Sequence, residues 1–164
     1  MGERELILAL AATIFFSTIS LSVNRYFLET NELMWKNEYD YYAVGLGQRI
    51  IEEAKTRRFD LNSPPLYNFE SPYGMNCANG ENYPNFNDVD DYGHYGHNDN
   101  LHLIFNTPLG EFRLRIYVHY VDKNNIDTPV YYRTYHKRMV VVVKNENLSA
   151  PIILKHVFSY IENN

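Results

Sequence analysis

The chain has 164 residues, a formal net charge of −5, 15 Tyr and one Cys. That length suits one ordinary domain plus an extension, and an acidic balance with no basic cluster argues against a nucleic-acid partner. Cys77, being alone, excludes an internal disulfide and a four-thiolate metal site.

Residues 6–23 contain no charged residue, no Pro and no Gly. At the helical rise they make a rod of roughly 27 Å, just long enough for a hydrocarbon core of about 30 Å. The Ser and Thr residues in the run do not exclude a span, because in lipid they bond to their own helix or a neighbour. Arg4 and Glu5 precede the run, and Arg25, Tyr26 and Phe27 follow it where an interfacial belt would lie. Residues 1–23 therefore read as the transmembrane half of an N-terminal helix. Two other readings fit a terminal apolar run, a cleaved secretory signal and the buried helix of a soluble protein. Against the first, residues 1–5 carry two acids and one base and no Ala-X-Ala site follows. Arg4 and Arg25 balance each other, so the positive-inside rule leaves orientation open.

Residues 24–60 read as the amphipathic half of the same helix. Leu28, Trp35, Tyr39, Tyr42, Leu46, Ile50 and Ala54 fall on one stripe of a helix of period 3.6, with most charges off it. The pattern predicts continuation to about Arg58, with Gly45 and Gly47 as weak points costing about 1 kcal/mol each against Ala. A break near Asn24 or Asn31 is the alternative.

Residues 61–164 read as a globular β-sheet domain opening on an irregular region at 61–100, rich in Pro, Asn and Gly turn signals. Residues 101–106 form a short apolar strand, and Thr107, Pro108, Leu109 and Gly110 suit a type I turn. Residues 111–121 alternate, with Phe112, Leu114, Ile116, Val118 and Tyr120 on one face, as in a half-buried antiparallel strand. Residues 122–128 read as a polar loop closed by Pro129. Residues 133–144 contain the strongest β-branched run, Val140 to Val143. Ile152, Leu154, Phe158 and Tyr160 define one face of a last strand. An apolar sheet face must be covered, and residues 24–58 are the long amphipathic element available for it. The expected fold is α+β, a long N-terminal helix packed on a four-stranded antiparallel sheet.

The densest set of ligand-type residues is Asp88, Asp90, Asp91 and Asp99 interleaved with His94, His97 and His102. Read as a calcium loop, Asp88, Asp90 and Asp99 take the first, third and last ligand positions, with Gly93 at the sharp turn. Tyr92 occupies another ligand position, and no helix pair flanks the loop. Zinc held by the three His residues and a plain Asx-rich loop are the other readings. No Ser, Cys or His stands in a catalytic setting, so the chain reads as a non-enzyme with no resident cofactor unless calcium binds.

Three stretches resemble the type IV pilin-like family, chiefly the minor pilins and the pseudopilins of type II secretion. Residues 5–11, Glu5 followed by Leu-rich apolar sequence, are similar to the family's start. Residues 137–143, followed after a turn by 151–154, look like its late strand pair. Residues 86–92 resemble a loop of some minor pilins. The resemblance implies a pilin-like fold, with residues 1–23 inserted in the bacterial inner membrane and the globular domain in the periplasm or outside. It also implies partners, namely inner-membrane lipid and other pilin-like subunits packed through the N-terminal helix. Glu5 is then the assembly residue, paired with a neighbour's N-terminal amine, and Arg4 is the alternative local partner. The family's Glu is fifth in the mature chain, which matches Glu5 if Met1 comes first; counting from the residue after Gly2 puts it third. The expected function is a structural subunit, of minor type, in a pilus-like or pseudopilus filament. The alternative is a single-pass, membrane-tethered binding module that never polymerises.

Overall fold

The computed structural model describes residues 2–62, 65–73, 82–97 and 101–160. Helix α1 runs unbroken over Glu3–Lys55, with Glu3 and Glu5 in its first turn and Lys55 in its last, the charge order that a helix dipole favours. Asn24 and Asn31 lie inside it, as do Gly45 and Gly47, so the break does not occur. It ends about a turn earlier than the periodicity predicts, because Arg58 leaves the helix to bridge Asp88 in parallel.

The chain forms two compact units, Met1–Glu38 and Tyr39–Asn164. In the first, the described residues form the opening part of α1. It contains a stretch long and apolar enough to cross a membrane, and none of that stretch is buried. Four of the five hydroxyls at 6–23 bond to the helix itself: Thr13 and Thr18 donate to the carbonyls of Leu10 and Phe15, and Ser17 and Ser22 to those of Thr13 and Thr18. These four hydroxyls are thus satisfied without water, which a bilayer core demands.

Among the described residues of the second unit the sheet has five strands, not four: β1 Leu103–Thr107, β2 Gly110–Asp122, β3 Asn125–Pro129, β4 His136–Lys144 and β5 Ile152–Ser159. All pairs are antiparallel, in the order β1–β2–β4–β5, with β3 paired to the end of β2. β3 is the segment expected to be a polar loop. Every residue in it is exposed, so no apolar alternation marks it. Asp122 accepts the N–H of Asn124 at 2.8 Å and turns the chain there. At the β1–β2 turn Gly110 has φ +100°, a value that favours Gly.

The register puts Leu114, Val143 and Ile152 in one row, Ile116, Val141 and Leu154 in the next, and Tyr120, Lys137 and Phe158 in the last. Ala43, Leu46, Ile50, Ile51 and Ala54 of α1 are buried in the same core. The Tyr42 ring stacks on Phe112 at 5.5 Å, and the Arg49 guanidinium lies over Phe105 at 5.6 Å. The expected stripe is therefore buried in its second half. Leu28 and Trp35, at 63% and 60% exposure, are not.

Residues 82–97 fasten to α1 through Glu53, whose carboxylate accepts the Tyr92 hydroxyl at 3.0 Å and the Tyr83 hydroxyl at 2.9 Å. Asp90–Gly93 form a 3-10 turn and His94–His97 the short helix α2. α2 sits so close to β2 that a Cβ on Gly96 would lie 2.3 Å from the carbonyl oxygen of Ile116.

Candidate functional site

Two features carry unusual chemistry. The first is the start of α1. Glu5 Oε2 accepts the N–H of Gly2 at 3.2 Å, so the carboxylate caps the first turn. This is a use of an acid that an N-terminus favours, and it differs from the local Arg4 pairing offered as the alternative.

The second lies in the core beside the acidic loop. Alternation along β4 puts Lys137 on the same face as Met139, Val141 and Val143, and its side chain is fully buried. A buried ammonium needs paired charge and hydrogen bonds. Lys137 Nζ donates to Asp60 Oδ2 at 2.8 Å, to Asp90 Oδ2 at 2.6 Å and to the Phe59 carbonyl at 2.8 Å. Both carboxylates are 1% exposed. The rings of Phe59, Tyr120 and Phe69 lie 4.4, 5.3 and 5.9 Å from the nitrogen and shut out solvent. Three chain segments supply the charged groups of this cluster: the stretch just beyond α1, the acidic loop and β4.

The two carboxylates are not equivalent. Asp60 is held by donors on both oxygens. Asn62 N–H reaches Oδ1 at 3.0 Å, while Glu70 N–H at 3.0 Å and the Tyr120 hydroxyl at 3.4 Å reach Oδ2. Asp90 has Lys137 on Oδ2 and, among the described residues, no hydrogen-bond partner on its buried Oδ1. Burial holds the Asp90 carboxyl well above its usual range against the pull of Lys137. Burial, then the charge of Asp91, pushes Asp88 up to about 6, and burial, then the charges of Asp88 and Asp60, pushes Glu70 up to about 7. The Tyr120 phenol is also raised, by burial first and then by Asp90.

Of the calcium-loop residues, Asp88 and Asp90 are buried. Asp88 Oδ1 accepts the N–H groups of Asp90 and Asp91 at 2.8 and 3.2 Å, closing an Asx turn, while Asp90 turns to Lys137. Asp99 and the side chain of His97 lie outside the described residues, as does Cys77. Among the described residues no three His, Cys, Asp or Glu side chains converge to hold a metal ion.

A third, shallower feature is an open groove lined by Tyr67, Pro72, Tyr73, Tyr131 and Tyr132, among others. Tyr73 and Tyr131 stack at 5.9 Å, and both rings are more than 70% exposed.

Sequence reasoning passed over Lys137 and Asp60. The signal for Lys137 was present: it continues the inward alternation of Met139 to Val143, and a Lys on an apolar strand face demands an acid. Nothing local marks Asp60 as that acid. No family model matches this chain, and neither a curated protein nor a solved structure does.

Proposed function

We propose that this chain is a structural subunit, of minor type, of a pilus-like or pseudopilus filament, inserted in the bacterial inner membrane through residues 6–23 before assembly. The observation that carries the reading is α1: one continuous helix, apolar and uncovered over its opening part and buried in a sheet domain's core from Ala43 to Ala54. Such an element serves first as a membrane anchor and then as the packing rod of a helical bundle. Its uncovered side chains exchange lipid for neighbouring helices of similar polarity. Glu5 fits that exchange. A carboxylate at the edge of an apolar run is costly in lipid, and a neighbour's terminal amine neutralises it in the bundle.

The test is Glu5→Ala. Loss of one partner from a buried ion pair costs about 3–5 kcal/mol, so incorporation into filaments falls sharply while membrane insertion and the sheet domain stay intact. Arg4→Ala has a mild effect. Filaments that take up Glu5→Ala as readily as the parent would remove the assembly role. The exposed tyrosine groove favours a second reading, a tethered module that binds its ligand there and never polymerises. Under that reading Tyr73→Ala with Tyr131→Ala abolishes binding and Glu5→Ala does nothing.

A further inference from the structure

We propose that Lys137 and Asp60 become joined by an intramolecular amide bond that the folded protein forms on its own, with Asp90 as the proton relay. The inference is independent of the filament reading. It rests on four observations: the contact between nucleophile and carboxyl, the exclusion of water, the unequal settings of the two acids, and a donor placed where charge would develop.

Lys137 Nζ and Asp60 Oδ2 are already at 2.8 Å, side chains 77 positions apart in sequence. Holding an amine and a carboxyl in this way replaces a bimolecular encounter, an advantage equivalent to an effective concentration of about 10⁵–10⁸ M in well-oriented systems. The aromatic rings around Nζ keep the site dry. In that setting an ion pair is poorly solvated, and its conversion to a neutral amide and an expelled water relieves the burial of two charges. Asp60 is the acylated group because backbone N–H donors hold its carboxyl in place. Asn62 N–H, on Oδ1 at 3.0 Å, points at the oxygen that carries negative charge when Cγ becomes tetrahedral. Asp90 is the relay because it touches the same nitrogen at 2.6 Å, while its other oxygen is buried and has no partner among the described residues. A buried polar atom with no partner asks for such an account.

The step balances without oxidant or cofactor. A proton passes from the Lys137 ammonium to the Asp60 carboxylate by way of Asp90, leaving a neutral amine and a neutral acid. The amine lone pair attacks Asp60 Cγ, the Nζ–Cγ bond forms and Oδ1 takes up the negative charge. Asp90 carries a second proton from Nζ to Oδ2. The Cγ–Oδ2 bond breaks, one water leaves and the carbonyl reforms at Oδ1. The product ties the residue just beyond α1 to the middle of the sheet, between β2 and β5, so pulling on α1 would load a covalent bond.

The experiment is mass spectrometry of the full-length chain, folded in detergent and then denatured. The expected intact mass is lower than the sequence mass by one water. Trypsin should fail to cut after Lys137 and should yield a branched species joining residues 59–113 to residues 134–138, whose fragmentation places the link on Asp60. Lys137→Arg should restore the full mass, and Asp90→Asn should leave most of the chain unlinked. A wild-type chain of full mass that is cut normally after Lys137 overturns the proposal, whether or not either variant folds. Loss of water with normal cleavage after Lys137 also overturns it, since that pattern belongs to a cyclised Asp or Asn elsewhere. A link on Asp90 overturns the assignment of roles.

Discussion

Three glycines, each changed to Ala, test the packing of the sheet domain, because one added methyl meets three different surroundings. At Gly45 a Cβ has nothing within 4 Å. The substitution there removes only the helix penalty of Gly and stabilises by about 1 kcal/mol, a rise in melting temperature of about 4 °C for a unit of this size. At Gly47 the Cβ falls 2.5 Å from Leu154 Cδ1, the free end of a side chain that can turn. Moving it off its rotamer costs about 0.5–1.5 kcal/mol, which offsets the helix gain and leaves the melting temperature nearly unchanged. At Gly96 the Cβ falls 2.3 Å from the Ile116 carbonyl oxygen and 2.7 Å from Tyr117 Cδ1. β2 is paired through this region to β4 and cannot move aside, so α2 must lift, at about 1–3 kcal/mol or more as in other overpacked sites. Thermal denaturation in detergent, followed by far-ultraviolet circular dichroism, gives the order Gly45→Ala above wild type, Gly47→Ala equal to it and Gly96→Ala well below. A Gly96→Ala protein as stable as wild type would mean that α2 does not rest on β2. Equal shifts at Gly45 and Gly47 would mean that α1 does not face β5.

Ile50 is fully buried, so Ile50→Ala costs about 2–5 kcal/mol in chemical denaturation. Lys55, in an exposed ion pair with Glu52 at 2.6 Å, loses less than about 1 kcal/mol on change to Ala. The pH dependence follows from Asp88, whose folded-state pKa of about 6 lies above its ordinary 3.8. Between those values the folded state binds the extra proton, so stability falls as pH rises from about 4 to about 6. The loss from Asp88 is at most about 3 kcal/mol, and Glu70, raised to about 7, extends the decline in the same direction. Asp88→Asn, which keeps an acceptor for the two N–H groups, flattens this profile and raises stability at pH 8; a profile as steep as the parent's would refute the burial argument. Finally, removal of residues 1–23 yields a β-rich protein that stays monomeric without detergent, whereas the full chain needs detergent; a full chain soluble and monomeric on its own would remove the membrane anchor.

What the residue order determined unaided is a matter of length and period. The apolar run at 6–23 is legible by its length and unbroken apolarity, while the stripe from Leu46 to Ala54 and the alternation from Phe112 to Tyr120 each repeat with the period of the element they form. Burial confirms the second and third, because side-chain direction along a helix or strand depends only on local geometry. The same logic fails where local pattern and environment part. β3 has no apolar alternation because both its faces are exposed, so only its pairing with β2 reveals it. Leu28 and Trp35 continue the stripe by spacing, yet both are exposed. The Lys137 cluster lies furthest from local legibility. Its Lys is marked by alternation, but Asp60 and Asp90 come from segments 77 and 47 positions away. A buried charge is satisfied by whatever the tertiary fold brings within about 3 Å, and no period in the chain encodes that meeting.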